Sequence, residues 1–146
     1  MSESILVPFD GTPQSTRALE YAVSSVPDAT LALVHVLDPS ELYSYGGMEG
    51  GAMTNYAEIQ REREERAEKL LDEARAIADD EGHQGEVTTT VLTGRVARSI
   101  IERAEAEEVD RIVIGSHGRS GASRVLLGSV AETVLRRSPV PVTVVR

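Results

Sequence analysis

Residues 4–26 read SILVPFDGTPQSTRALEYAVSSV. Ser4–Phe9 is a short apolar run, and Asp10-Gly11-Thr12-Pro13 closes it with turn residues, the pattern of a buried strand ending in a turn. From Gln14 onward Ala18, Leu19, Ala22, Val23 and Val26 recur at helical spacing. Pro13 suits a first helical position, where its missing N–H would have no intrahelical partner. A strand, a turn and a helix ending near Pro27 therefore follow one another.

The same unit repeats along the chain. Thr30–Leu37 (TLALVHVL) is a second continuous apolar run, stopped by Asp38-Pro39. Ser40–Met53 (SELYSYGGMEGGAM) has no period and two Gly-Gly pairs, so it reads as a loop and a candidate lid. Thr54–Glu81 holds no Gly or Pro, and Ala67, Leu70, Leu71, Ala74, Ile77 and Ala78 form one apolar stripe, predicting a long helix. Its first half, EIQREREERAEK, is expected to project into solvent with i,i+4 ion pairs. Glu86–Leu92 (EVTTTVL) is β-branched and partly alternating, as in an edge strand. Val96, Ala97, Ile100, Ile101, Ala104 and Ala106 mark a helix that ends by Val109, and Arg111–Gly115 (RIVIG) is a fourth strand. A glycine-rich turn leads to a last helix with Val130, Ala131, Val134 and Leu135, and Val140–Val145 (VPVTVV) is the fifth strand. The order βαβαβαβαβ predicts an α/β fold: one domain over residues 1–146, with a doubly wound five-stranded parallel sheet and helices on both faces. In such sheets a ligand sits beyond the strand C-terminal ends where the winding reverses, so the turns after strands one and four are the candidates.

Composition removes several function classes. A chain of 146 residues with 40% hydrophobic and 27% charged residues is ordinary globular material, and no apolar run is long enough to span a bilayer. The start, Met-Ser-Glu-Ser, has no signal-peptide character, so a cytoplasmic location is expected. Without cysteine there is no disulfide, thiolate metal site or cysteine nucleophile. The net charge of −9 disfavours nucleic acid as a partner. Lys69 is the only lysine, which fits either a salt-adapted source or a genome that favours Arg codons. His35, His83 and His117 are too dispersed for a metal site, and read as a strand, a turn and an exposed loop residue.

The chemistry concentrates after strand four, in GSHGRSGASRVLLGSVAETV. Gly115, Gly118, Gly121 and Gly128 let the chain take positive φ or let a ligand approach the backbone, and Ser129 is placed to cap or open the next helix, whose free N–H groups suit an anion. Residues 111–138 carry five arginines, Arg111, Arg119, Arg124, Arg136 and Arg137, against Glu132 alone. Ser116, Ser120 and Ser123 could also accept phosphate.

The spacing Gly115-x2-Gly118-x9-Gly128-Ser129 resembles the nucleotide-binding signature of the ATP-binding branch of the universal stress protein family. The resemblance extends to Ile5–Asp10, to His35-Val36-Leu37-Asp38, to Thr93-Gly94 and to the closing PVTVV strand, so it covers essentially the whole chain. It implies a Rossmann-like fold of the adenine nucleotide alpha hydrolase type. It also implies ATP as ligand, with Mg2+ or Mn2+. Asp10 would meet the ribose and metal-phosphate region, Pro8 and Val36 would border the adenine, and Ile114 and Gly115 would lie against the nucleotide. Gly118, Gly128, Ser129 and Val130 would hold the phosphates. Family members commonly dimerise through the last strand, so a homodimer through Val140–Val145 is expected, with Pro141 marking an edge strand.

Two other classes compete with this reading. A P-loop enzyme needs a lysine after its glycine, and Lys69 lies far from any such turn. Adenylating enzymes of this topology use His-x-Gly-His or Ser-Gly-Gly-x-Asp-Ser, which His117-Gly118-Arg119 does not match. A ligand-independent dimerisation module with unknown protein clients is the second class. The expectation is therefore a nucleotide-charged dimeric switch in stress response that is not an enzyme and hydrolyses ATP slowly or not at all.

Overall fold

The structure is a computed structural model that describes residues 3–41, 52–118 and 127–146. Most of the candidate lid, together with Arg119, Ser120, Gly121, Ser123 and Arg124, lies outside the described residues. Within them the chain runs β1 (Ser4–Pro8), α1 (Pro13–Ser25), β2 (Thr30–Leu37), α2 (Ala52–Asp80), β3 (Val87–Thr93), α3 (Val96–Ala106), β4 (Arg111–Gly115), α4 (Ser129–Arg137) and β5 (Val142–Val145). The strands form one parallel sheet in the order β3-β2-β1-β4-β5. The doubly wound α/β reading therefore holds, with β3 at an edge as its one-sided pattern predicts.

Alternation along the strands divides the core in two. Ile5 and Val7 of β1 and Phe9 just beyond it share a face with Leu31, Leu33 and Val113, packed by Ala18, Leu19, Ala22 and Val23 of α1 and by Leu71, Ala74 and Ala78 of α2. Leu6, Ala32, Val34, Ile112 and Ile114 point the other way, onto Ile100 and Ala104 of α3 and Val134 of α4. Ile5, Leu6 and Val7 are all fully buried, so β1 is covered on both faces. Each such aliphatic side chain contributes about 1.5–3 kcal/mol by leaving water. At the far end of the sheet Arg111 grips Glu3 with two hydrogen bonds, 3.0 and 2.9 Å, which hold the guanidinium charged and tie β4 to the entry of β1.

Two helices end in the same way with different residues. After α2, His83 N–H donates to the Ala78 carbonyl and Gly82 N–H to that of Asp79, both at 3.0 Å, with Gly82 at φ +81°. After α3, Val109 N–H donates to Ala104 and Glu108 N–H to Glu105, both at 3.2 Å, with Glu108 at φ +50°. Both are Schellman ends, and the left-handed position suits glycine but strains a Cβ. Glu108→Gly is expected to stabilise the protein by about 0.5–1 kcal/mol, raising the melting temperature by a few degrees in thermal unfolding.

Three local expectations are corrected. The fifth strand begins at Val142 rather than Val140, because Val140 N–H donates to Ser138 Oγ and its carbonyl accepts from the same hydroxyl, a local turn that removes it from the ladder. β5 is an edge strand, but not for the reason Pro141 suggested. The Pro141 carbonyl accepts from Ile112 N–H, so residue 141 faces β4 and its missing donor is not on the free side. The ion pairs foreseen along α2 do not close. Arg61 and Glu65, and Glu62 and Arg66, stand one turn apart, yet among the described residues the ion pair of this half is Arg63 with Glu41, at 2.9 Å.

Candidate functional site

The site begins with a proline. Asp110 N–H donates to Ser4 O on one side of β1, and Phe9 N–H to Val34 O on the other, so even residues of β1 face β4 and odd ones face β2. Pro8 therefore withholds its N–H from β4. The β1–β4 register covers Ile5↔Arg111 and Leu6↔Ile112. A proline within a central strand is tolerated here because it stands at the strand end, where the sheet opens into the crevice between β1 and β4. The winding reverses at this point: α1 and α2 lie on one face, α3 and α4 on the other.

Asp10 stands at the mouth of that crevice. Its Oδ1 accepts from Thr12 N–H at 3.0 Å and Thr12 Oγ1 at 2.6 Å. Thr12 is also the N-cap of α1, its Oγ1 accepting from Ser15 N–H at 3.2 Å. Gly11 at φ +81° makes the tight turn between them. The carboxylate is thus oriented by the start of α1, and Ser15, itself buried, lends its Oγ to Asp10 N–H at 3.4 Å.

The turn after β4 meets this from the other side. A Cβ on Gly115 would stand 2.9 Å from the Gln14 carbonyl carbon and 3.0 Å from Ser15 N, so β4 ends against the first turn of α1. Ser116 is buried; its N–H donates to Val145 O and its carbonyl accepts from Gly128 N–H, both at 2.7 Å. A Cβ on Gly128 would press on that same carbonyl at 3.0 Å and on His117 Cα at 3.3 Å, while one on Gly118 would lie 3.2 Å from Asp10 Oδ2. The glycines at 115, 118 and 128 are needed for close approach and not for φ: the positive-φ glycines among the described residues are Gly11, Gly82 and Gly94. Gly115 serves the packing of β4 against α1, Gly128 serves the turn's own packing, and Gly118 is the one that opens toward Asp10.

Gly128 is the N-cap of α4, which has no side-chain cap; Ser129 opens the helix and does not cap it. Its first-turn N–H groups lie at the crevice edge that also holds Asp10 and Gly118. Glu132, the one acid in that turn, is paired with Arg136 at 2.8 Å. Val130 is partly buried, its side chain packed against the core face of α3 and α4. Ile114 is buried on the same face, and Pro8 and Val36 are half-buried at the strand ends. Val36 has a further property. Thr30 N–H and Val34 O bond toward β1, whereas Leu31 N–H and Leu37 O bond toward β3, so even residues of β2 face β1. Val36 therefore turns its N–H and C=O to the side that β1 has left.

Of the three histidines, His35 lies in a strand and His83 in a turn as read, and His117 departs from its expected place. His117 is half-buried, not exposed, with Nδ1 2.9 Å from Ser116 Oγ. His83 donates from Nε2 to the Ala29 carbonyl at 2.7 Å, a structural clasp. His35 is placed beside the site, with Nδ1 2.8 Å from the Phe9 carbonyl, which nothing in its apolar surroundings signalled. At the end of β2, Ser40 N–H donates to Asp38 Oδ1 at 2.9 Å and holds this carboxyl below the usual carboxylate range, with help from the Ser40 hydroxyl and the charges of Arg95 and Arg63. No group of three or more His, Cys, Asp or Glu suited to a metal ion, and no helix long and apolar enough to cross a membrane, occurs among the described residues.

Comparison with known proteins agrees with this architecture. The model of the universal stress protein family matches residues 1–146. Universal stress protein YxiE of Bacillus subtilis is 33% identical over 150 residues, covering 100% of both chains. The solved structure of protein MJ0577 of Methanocaldococcus jannaschii matches with a TM-score of 0.83 at 29% identity, over 99% of this chain and 96% of that one. The universal stress protein of Archaeoglobus fulgidus in complex with dAMP shares the fold at 21% identity and a TM-score of 0.61, over 100% of this chain and 98% of that one. Others of the same fold, at 23% and 15% identity, are in complex with cAMP and have AMP bound. Sheet order, crevice and whole-chain match lead to one conclusion: this chain belongs to the universal stress protein family.

Proposed function

We propose that the protein binds ATP at the crevice between β1 and β4 and acts as a dimeric, nucleotide-charged switch in stress response. The observation that carries the reading is the meeting of three features at the carboxyl end of the central strands: an Asp10 carboxylate oriented by the α1 cap, Gly118 open toward its Oδ2, and the uncapped start of α4. An adenine nucleotide has matching parts. Its phosphates suit the α4 N-terminus, and its ribose or a phosphate-bound cation suits Asp10. Adenine nucleotides in complexes of more distant family members support the same class of ligand. Mg2+ fits such a site through one carboxylate plus the phosphate oxygens, with no all-protein cage required.

Titration calorimetry with ATP and Mg2+ tests the reading. Wild type is expected to bind, and Gly118→Val to bind at least tenfold more weakly while melting within a few degrees of wild type, since among the described residues an added Cβ meets a side-chain oxygen, Asp10 Oδ2, and no backbone. Equal binding by the two proteins would refute the site. Gly128→Val is the poorer probe, because it presses on the Ser116 carbonyl and distorts the turn itself.

The switch reading includes a homodimer through β5. Val142–Val145 are half-exposed at the sheet edge, and residues 141 and 145 face β4, which leaves Val142 and Val144 to present their backbone outward. An edge of this kind pairs readily with a second copy. Light scattering at micromolar concentration is expected to give twice the monomer mass of 15.7 kDa. A monomer under these conditions would count against the dimer without touching the nucleotide site.

A further inference from the structure

We propose that His35 is a positioning residue for Asp10, an inference that rests on the nucleotide reading above. In a parallel pair the bond from Phe9 N–H to Val34 O is normally followed by one from residue 36 N–H back to the Phe9 carbonyl. Here the Phe9 carbonyl is taken at 2.8 Å by His35 Nδ1, reaching up from β2 on the face packed by α1 and α2. A carbonyl can only accept, so Nδ1 carries the proton and the tautomer is set. The bond fixes the peptide that joins Phe9 to Asp10. That peptide's N–H is in turn held by Ser15 Oγ at 3.4 Å. Carbonyl and N–H of one peptide are thus clamped by two side chains from different elements, and the rotation of that peptide decides where the Asp10 carboxylate points. Thr12 holds the carboxylate itself, so the clamp by His35 works one bond upstream of it.

Of the conservative replacements, asparagine alone can place a donor, its Nδ2, where Nδ1 stands; leucine fills similar space and cannot donate. ATP is titrated into wild type, His35→Leu and His35→Asn, and into the first two again with Asp10→Asn added. His35→Leu is expected to weaken ATP binding about tenfold, in the range for lost support of a liganding carboxylate. His35→Asn should stay within about threefold of wild type. In the Asp10→Asn background His35→Leu should change affinity by less than about threefold, since the group it positions is already altered. Equal loss in Leu and Asn variants, or the same tenfold loss in both backgrounds, overturns the proposal. A measurement without nucleotide separates this inference from the reading it rests on: hydrogen exchange of the Thr12 amide, which donates to Asp10 Oδ1. His35→Leu should speed that exchange several-fold and leave the β4 amides Ile112–Ile114 unchanged. If wild type binds no ATP, the nucleotide reading falls by itself, and an unchanged Thr12 amide in His35→Leu then overturns the role of His35.

Discussion

Gly85→Ala is expected to be the most destabilising single-methyl substitution in the turn between α2 and β3, lowering stability by roughly 3 kcal/mol or more, against about 1 kcal/mol for Gly82→Ala. Sequence alone treats these two glycines alike, as punctuation at a helix end. In the structure they have opposite reasons. Gly82 sits at φ +81° with nothing within 4 Å of an added Cβ, so alanine there meets only backbone strain. Gly85 has no such φ, but a Cβ on it would collide with the Ala29 carbonyl oxygen and stand 2.6 Å from that of Asp28. Both obstacles are backbone, and the Ala29 carbonyl is already engaged by His83 Nε2 while Gln84 N–H holds Pro27 O at 2.8 Å. Neither can yield without opening the seam between the α1–β2 and α2–β3 connections. Urea unfolding of the two variants decides the ranking, and similar midpoints would show that the seam gives way easily.

The second large effect is expected at Asp10. Asp10→Ala should weaken binding of ATP with Mg2+ about a hundredfold and also cost about 1–2 kcal/mol of stability, because Thr12 N–H and Oγ1 both lose their acceptor at the start of α1. Asp10→Asn retains an oxygen for Thr12 but no charge, so it should melt near wild type and still bind poorly; that separation isolates the electrostatic part. Phosphate release by wild type should run below about one turnover per minute, far under the roughly 1–1000 per second of ordinary enzymes. The reason is the donor set. Among the described residues the site offers backbone N–H groups and one carboxylate, which can hold a ground state, but acceleration requires groups that bind the transition state more strongly, and Asp10 is already committed to Thr12 on one oxygen. Turnover near one per second in wild type that vanishes in Asp10→Ala would make the protein an ATPase.

How far the sequence could be read depended on whether the signal was local. β2 and β4 have the bounds their apolar runs predicted, Thr30–Leu37 and Arg111–Gly115, because continuous burial on two faces leaves a continuous mark. β3 was readable as an edge from its alternation. Pro141 misled, because which side of a strand a residue's N–H faces depends on register, and register between parallel strands is set by partners far along the chain. The same limit hid the roles of the glycines. Spacing located Gly115, Gly118 and Gly128, but not that Gly115 and Gly128 press on neighbouring backbone while Gly118 looks toward a carboxylate. His35 was invisible for another reason: a half-buried histidine in an apolar strand reads as core until the acceptor opposite it is known.

The separation of Asp10 from Gly118 along the chain has a consequence for synthesis. β1 is the third strand across the sheet and the first to leave the ribosome, and its β4 side stays uncovered until Arg111–Gly115 has been made. Through most of translation the nascent chain can pair β1 with β2 and β2 with β3, a half-sheet with one raw inner edge. The crevice does not exist during that time, because one of its walls has not been synthesised. A nucleotide that needs Asp10 and the β4 turn together would therefore engage only after that turn had emerged, and its uptake would mark the moment at which the exposed edge of β1 is closed.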